Sequence, residues 1–281
     1  MANAIYLVVT DLDGSLLDHH DYTWEAARPA LQLLEELRIP VVFASSKTRP
    51  EILELRSELG NEHPFIVENG AAAYIPDGYF VDTPRGCERH GAFWRRAFAP
   101  PRQRWGALLD EQRARHPGAF QDFATADADE IVAMTGLPPE KAALANEREF
   151  SEPVQWRGSE AQLRSFLAAV RDAGARALRG GRFLSIAGDC DKGEAWRWLR
   201  DQYVLAAGGA SLYDLSLGDG NNDVPMLELT HRAALIAAPG RAAPDLCRVE
   251  GVIRSEALGP AGWAEAVRQW LGELYAGAAA S

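Results

Sequence analysis

Residues 9–18 read VTDLDGSLLD. An apolar, β-branched run, IYLVVT (5–10), ends here on two carboxylates, Asp11 and Asp13, followed at once by a glycine and a second apolar run. A short continuous apolar run of this kind suits a strand buried on both faces. Residues i and i+2 of an extended segment project to the same side, so Asp11 and Asp13 share a face where the strand ends. Taken alone, D-x-D-G is also ordinary chemistry for an acidic turn that caps a helix. The flanking chain decides between the two.

Working outward, WEAARPALQLLEELR (24–38) has helical apolar spacing, PVVFAS (40–45) is strand-like, and RPEILELRSELG (49–60) is a helix with Gly60 as its stop. PFIVENG (64–70) is a further strand ending in a turn. The resulting βαβαβ pattern predicts an α/β fold, a doubly wound parallel sheet with right-handed crossovers. Such sheets bind ligands at the carboxyl ends of their strands, where Asp11, Ser45 and Asn69 fall. From about residue 83 the texture changes. HGAFWRRAFAPPRQRWGALLDEQRARH (90–116) reads as Arg- and Trp-rich helical stretches, and after REFSEPVQWRG (148–158) a strand, a helix at 159–173 and two more strands at 175–187 follow, as in a small α+β insert. The first pattern then resumes with a helix at 191–206, a strand and acidic turn at 211–220, a strand at 233–238 and a final helix at 262–275. The expected organisation is a core from 1–82 and 188–281, with an α+β cap from 83–187 inserted into it. The hinges are expected near 82–84 and 186–190.

LGDGNNDVPML (217–227) sets Asp219 and Asp223 in a Gly- and Asn-rich turn after a strand. Two hard oxygen ligands on one turn suit Mg²⁺, which takes one or two carboxylates together with substrate phosphate and water. An EF-hand is excluded, because Val224 stands where its glycine belongs and Thr230 where its bidentate glutamate belongs. An Asx-rich helix cap is the bland alternative for this stretch by itself. The conjunction weighs more than any part. DxD-G lies at the first strand end, a hydroxyl at the second (SSKT, 45–48), a lysine opens a later helix (DKG, 191–193), and GDGNND (218–223) closes the series.

These four parts, in this order, resemble the signature of the haloacid dehalogenase-superfamily phosphohydrolases. The position of the insert is similar to that of the C2-type cap carried by their Cof-like members. The phrases DLDGSLLD, SSKT, FIVENGAAAYIP, EREFSEP, GGRFLSIAG, LGDGNND and GPAGW further resemble the mannosyl-3-phosphoglycerate phosphatases and their relatives; Ser15 replaces the usual threonine after the DxDG glycine. The resemblance implies a Mg²⁺-dependent phosphomonoester hydrolase working through an aspartyl-phosphate. Asp11 is the implied nucleophile and Asp13 the acid and base. Asp11, the Asp13 carbonyl, Asp219 and Asp223 form the implied metal site. Ser45 and Lys192 are implied to hold the phosphoryl oxygens, with Lys47, Asn69 and Asn222 as further phosphate or substrate contacts. A glycosyl-3-phosphoglycerate also carries a carboxylate, for which a planar guanidinium is the bidentate partner; Arg148 and Arg182 are the expected ones. Ser151 and Glu152 are candidates for sugar hydroxyls. The implied product is a free glycosylglycerate, an osmolyte. A phosphatase of another sugar phosphate, a phosphosugar mutase on the same core and a catalytically silent binding protein are the alternatives.

Composition is consistent with this. The chain has 281 residues, 47% hydrophobic and 25% charged, enough for one large core or two unequal ones. A net charge of −11 argues against a nucleic-acid partner, so local cations have to hold an anionic substrate. The aromatics of the FWRRAF region are expected to pack a cap core rather than meet nucleic acid or membrane. Cys87, Cys190 and Cys247 are widely spaced and form no CxxC pair, which points to a reducing, cytoplasmic setting. The six histidines show no metal-ligand spacing, and Cys190 reads as an incidental thiol. No secretory leader or stretch of membrane-spanning length is read, and oligomeric state is left open.

Overall fold

The computed structural model describes residues 4–180, 182–240 and 242–279. Its strands are β1 (Ala4–Thr10), β2 (Val41–Ala44), β3 (Phe65–Val67), β4 (Ala72–Pro76), β5 (Glu88–His90), β6 (Phe93–Ala97), β7 (Phe120–Asp122), β8 (Glu152–Trp156), β9 (Arg176–Arg179), β10 (Leu184–Ala187), β11 (Ser211–Gly218), β12 (Arg232–Ala237) and β13 (Val252–Leu258). Its α-helices are α1 (Arg28–Glu36), α2 (Arg49–Leu59), α3 (Gly106–Arg115), α4 (Ala128–Thr135), α5 (Pro139–Asn146), α6 (Glu160–Asp172), α7 (Lys192–Ala206), α8 (Val224–Leu227) and α9 (Gly259–Ala279).

The large sheet runs β13-β12-β11-β1-β2-β3-β4-β6-β5. From β13 to β3 the pairings are parallel; β4, β6 and β5 extend the edge antiparallel. Alternating residues of β1 enter two different cores. Val8 packs with Phe43, Trp263 and Trp270 on one face, while Leu7 and Val9 pack with Val42, Trp196 and Leu199 on the other. Burial on both faces explains why the run reads as continuously apolar rather than alternating. The chain winds outward from β1 through β2 to β3, then returns to β11 on the other side of β1. The reversal of strand order therefore lies between β1 and β11, where doubly wound sheets bind their ligands.

A second sheet, β7-β8-β10-β9, is antiparallel throughout. Its core gathers Trp105, Leu109, Phe120, Val154, Phe166 and Ile186, with α3 and α6 packed on it. A satellite cluster of Phe123, Ile131, Met134 and Ala142 lies under α4 and α5. This is the inserted α+β layer that the composition shift announced.

One expectation is corrected. The stretch at 90–116 is not helical throughout: β5 and β6 occupy Glu88–His90 and Phe93–Ala97, and a helix begins only at Gly106. Neighbouring Phe93 and Trp94 pack against opposite cores, which is the two-residue period of a strand. Because β6 pairs with β4, the expected boundary near 83 lies in a segment followed by strands of the large sheet; the chain passes to the smaller sheet after residue 97. Strands β4, β7 and β13 are likewise absent from the pattern that the sequence predicts. Among the described residues no helix is long and apolar enough to cross a membrane.

Candidate active site

The site is assembled at the carboxyl ends of β1, β2, β3 and β11, beside the opening of α7. Asp11 follows β1 directly, and its N–H donates to the Leu217 carbonyl of β11 at 2.9 Å, so the two strands are still paired where their acids begin. Carboxylate oxygens of Asp11, Asp219 and Asp223 all lie within 4.8 Å of one another, and all three residues are buried. Residues 208 apart in the sequence thus share one small volume because their strands are neighbours in the sheet. Gly14 makes the approach possible: it has φ +85°, and a Cβ there would lie 2.6 Å from Asp219 Oδ2.

Lys192 is the counter-charge. Its Nζ donates to Asp11 Oδ1 at 2.5 Å and to Asp223 Oδ1 at 2.6 Å, and the side chain is fully buried. It is the first residue of α7, whose N-cap Asp191 accepts from the Glu194 N–H at 2.8 Å. Asp223 Oδ2 accepts from the N–H groups of Asp219 and Gly220 at 3.1 and 2.9 Å, which locks the acidic turn. Burial, and then the nearby Asp223 carboxylate, push the Asp11 carboxyl well above its ordinary range, against the pull of Lys192. Burial opposes the Lys192 charge, but Asp11 and Asp223 outweigh it and hold the ammonium above its usual value. Three crowded acids facing one ammonium carry an excess of negative charge, and a divalent cation is the chemistry that relieves it. The donor set, all carboxylate oxygen, fits a hard ion.

The neighbouring turns supply further groups. Ser45 is fully buried and its Oγ accepts from the Lys47 N–H at 3.2 Å. Lys47 Nζ stands 2.9 Å from Asp13 Oδ1 and 4.0 Å from Glu51 Oε1. Burial acts against the Lys47 charge, and the Asp13 and Glu51 carboxylates more than offset it, so its ammonium is held above the ordinary value. Asn69 Oδ1 accepts from Asn222 Nδ2 at 3.2 Å, joining the turn after β3 to the acidic turn. Asp11, Asp13, Ser45, Lys47, Asn69, Lys192, Asp219, Asn222 and Asp223 are therefore linked by strand pairing, carboxylate crowding or direct contact.

The two cap arginines part company. Arg148, on the loop between α5 and β8, donates from Nη1 to the Ser46 carbonyl at 3.2 Å and to Ser151 Oγ at 3.0 Å, which sets a cap guanidinium against the Ser45–Ser46 turn. Arg182, in the β9–β10 hairpin, is exposed and donates to the Thr135 carbonyl at the end of α4, a contact within the cap. Glu152 is held by Arg102 and the Ala124 N–H, so its oxygens are engaged inside the cap. Cys190 is a free, buried thiol pushed up to about 12 by burial and then by Glu194, far from a nucleophile's range.

Sequence reading missed Glu68 and Glu149. Glu68 is buried and accepts from the backbone of residues 149–151. Glu149 accepts from Arg49, Arg95 and the Tyr74 hydroxyl. Their only signal was an acid next to Asn69 in VENG and another in EREF.

Residues 8–84 match the model of the haloacid dehalogenase-like hydrolases. A relative from Methanococcoides burtonii, a glucosyl-3-phosphoglycerate/mannosyl-3-phosphoglycerate phosphatase, is 34% identical over 269 residues, which is 95% of this chain and 98% of the relative. A protein of the same name from Persephonella marina is 32% identical over 96% of this chain and 99% of its own length. In fold, the chain is similar to a haloalkanoate-superfamily phosphatase from Bacteroides thetaiotaomicron, with a TM-score of 0.63 at 16% identity, covering 95% of each chain. The chain belongs to the haloacid dehalogenase-like hydrolases. Within that family it is a phosphatase.

Proposed function

We propose that the protein hydrolyses the phosphate monoester of a glucosyl- or mannosyl-3-phosphoglycerate, using Mg²⁺ and an aspartyl-phosphate on Asp11. The observation that carries this reading is the Asp11, Asp219 and Asp223 cluster, with oxygens within 4.8 Å of each other and Lys192 bonded across it. The nearly full-length relatives named for these substrates support the choice of ester.

Phosphate monoesters are so inert that enzymes acting on them supply accelerations of up to ~10²¹-fold, and no single contact delivers that. Asp11, Asp219 and the Asp13 carbonyl would hold the metal, with Asp223 the adjoining acid. When bound, Mg²⁺ supplies the positive charge that lets a carboxylate approach an anionic phosphoryl group. Asp11 then attacks phosphorus in line, and the bond to the glycerate oxygen breaks. Asp13 donates the proton that this leaving oxygen takes up, and afterwards accepts one from the water that cleaves the aspartyl-phosphate. Lys192 and Ser45 hold the phosphoryl oxygens, with Asn69 and Asn222 orienting the group and Lys47 positioning Asp13 through its ion pair. Arg148, beside the Ser45–Ser46 turn, is the cation for the glycerate carboxylate. Arg182, engaged with the end of α4, is not assigned this role.

The test is phosphate release across a panel of sugar phosphates and glycosyl-3-phosphoglycerates with Mg²⁺. A kcat/KM at least tenfold higher for a glycosyl-3-phosphoglycerate supports the reading, and equal slow turnover of every ester removes the substrate assignment. Release of phosphate without an acceptor sugar separates hydrolysis from mutase chemistry.

A further inference from the structure

The turn that follows β3 is unusual in its backbone. Glu68 and Asn69 both have positive φ, +48° and +59°, and Gly70 follows at +97°. Two consecutive non-glycine residues in the left-handed region are uncommon, and the conformation costs free energy that the surroundings have to offset, more for Glu68 than for Asn69, whose residue type enters this region more readily. Gly70 has no alternative, since a Cβ there would lie 2.1 Å from the Asp191 carbonyl oxygen. Reversing the chain this sharply sends two neighbouring side chains to two different partners. Asn69 meets Asn222 of the acidic turn, and Glu68 reaches the cap.

What Glu68 meets is specific. Oε1 accepts from the Glu149 N–H at 2.8 Å, and Oε2 accepts from the N–H groups of Phe150 and Ser151 at 3.3 and 2.7 Å and from Ser151 Oγ at 2.5 Å. Three successive backbone N–H groups converging on one anion make a backbone nest, here filled by a carboxylate of the core. The Ser151 hydroxyl, which donates to Glu68, also accepts from Arg148 Nη1 at 3.0 Å. The chain of contacts therefore runs from the strand end of the core, through Ser151, to the guanidinium standing against the Ser45–Ser46 turn.

We propose that Glu68 is a positioning residue: by filling the nest at residues 149–151 it holds Arg148 over the phosphate-holding turn, and so sets the preference for esters that carry a second anionic group. This rests on the substrate reading above and adds the residue that enforces it. Both carboxylate oxygens are needed as acceptors. A glutamine keeps the size but turns an N–H₂ donor toward backbone donors, so half of the nest is lost.

The experiment compares the wild type with Glu68→Gln and, as a gentler variant, Ser151→Ala. Steady-state kinetics use glucosyl-3-phosphoglycerate and p-nitrophenyl phosphate, and hydrogen exchange follows the amides of 149–151 in the same proteins. The expected result for Glu68→Gln is a KM for glucosyl-3-phosphoglycerate raised about 10- to 100-fold with kcat changed less than about threefold, together with faster exchange at 149–151. Ser151→Ala should shift KM in the same direction by a few-fold. The ratio of kcat/KM between the two substrates should collapse in Glu68→Gln. Parallel loss on both substrates, a fall in kcat alone, or unchanged exchange overturns the proposal. A wild type with no preference for glucosyl-3-phosphoglycerate overturns the substrate reading and the selectivity role with it, while the exchange data then decide the docking role by themselves.

Discussion

Lys192 Nζ lies 2.5 Å from Asp11 Oδ1 across 181 residues of sequence, and the same ammonium reaches Asp223 at 2.6 Å. One buried cation thus spans the first and last acids of the cluster. Removing it leaves two buried carboxylates facing each other with no counter-charge. Breaking a buried pair in this way costs about 3–5 kcal/mol. Lys192→Met is expected to lower the urea midpoint accordingly and to reduce phosphate release by about 10²-fold or more. An unchanged midpoint would show that the acids have another source of compensation.

Asp11→Asn preserves shape but removes the nucleophile and one negative charge. Turnover should fall by at least about 10³-fold with the fold intact by circular dichroism. Because a carboxamide relieves crowding among the acids, thermal stability without metal should not fall in step with activity.

Mg²⁺ should stabilise the folded chain by mass action, by about 2.7 kcal/mol at a hundredfold excess over its dissociation constant. The measurement is a thermal melt with and without the ion. Asp219→Asn should lose most of that gain, because its carboxylate is one of the three that converge. A similar loss is expected in Gly14→Ala, where the new methyl group would press on Asp219 Oδ2.

Gly70→Ala sets a methyl group against the backbone carbonyl of Asp191, the N-cap of the helix that carries Lys192. Neither group is a flexible side-chain end, so one of the two backbones has to shift. A destabilisation of more than about 2 kcal/mol by denaturant titration is expected.

His63 is partly buried and its Nδ1 lies 2.9 Å from the Tyr79 hydroxyl. Burial, and then the Arg56 charge, lower its pKa from 6.5 to about 4. The unfolded chain therefore binds a proton near pH 6.5 that the folded chain refuses until about pH 4. The stability this group contributes is fully present above pH 6.5, and falls away as pH drops toward 4, by roughly 3 kcal/mol at most. Urea midpoints across this window should fall less steeply in His63→Gln than in the wild type.

Much of the site was legible because its residues sit at predictable places. A buried parallel strand is a short apolar run, and Asp11, Ser45, Asn69 and Asp219 each fall on or just past the end of one. Lys192 was legible as the opening of a helix capped by Asp191. Glu68 was not, because three of its partners are backbone N–H groups, and any residue except proline offers the same donor. The strand character of FWRRA was hidden for a related reason. Its aromatics are adjacent, and only the presence of a core on each side of the sheet shows that they face opposite ways.

The order of apolar runs, helices and acidic turns was determined by the sequence alone, since strand burial and helix capping depend on near neighbours in the chain. Which acids meet, which of the two cap arginines reaches the core, and where the cap is fastened were decided only by the tertiary structure. Those outcomes depend on strand order, on glycines that leave no room for a Cβ, and on hydrogen bonds to backbone groups that carry no mark of residue type.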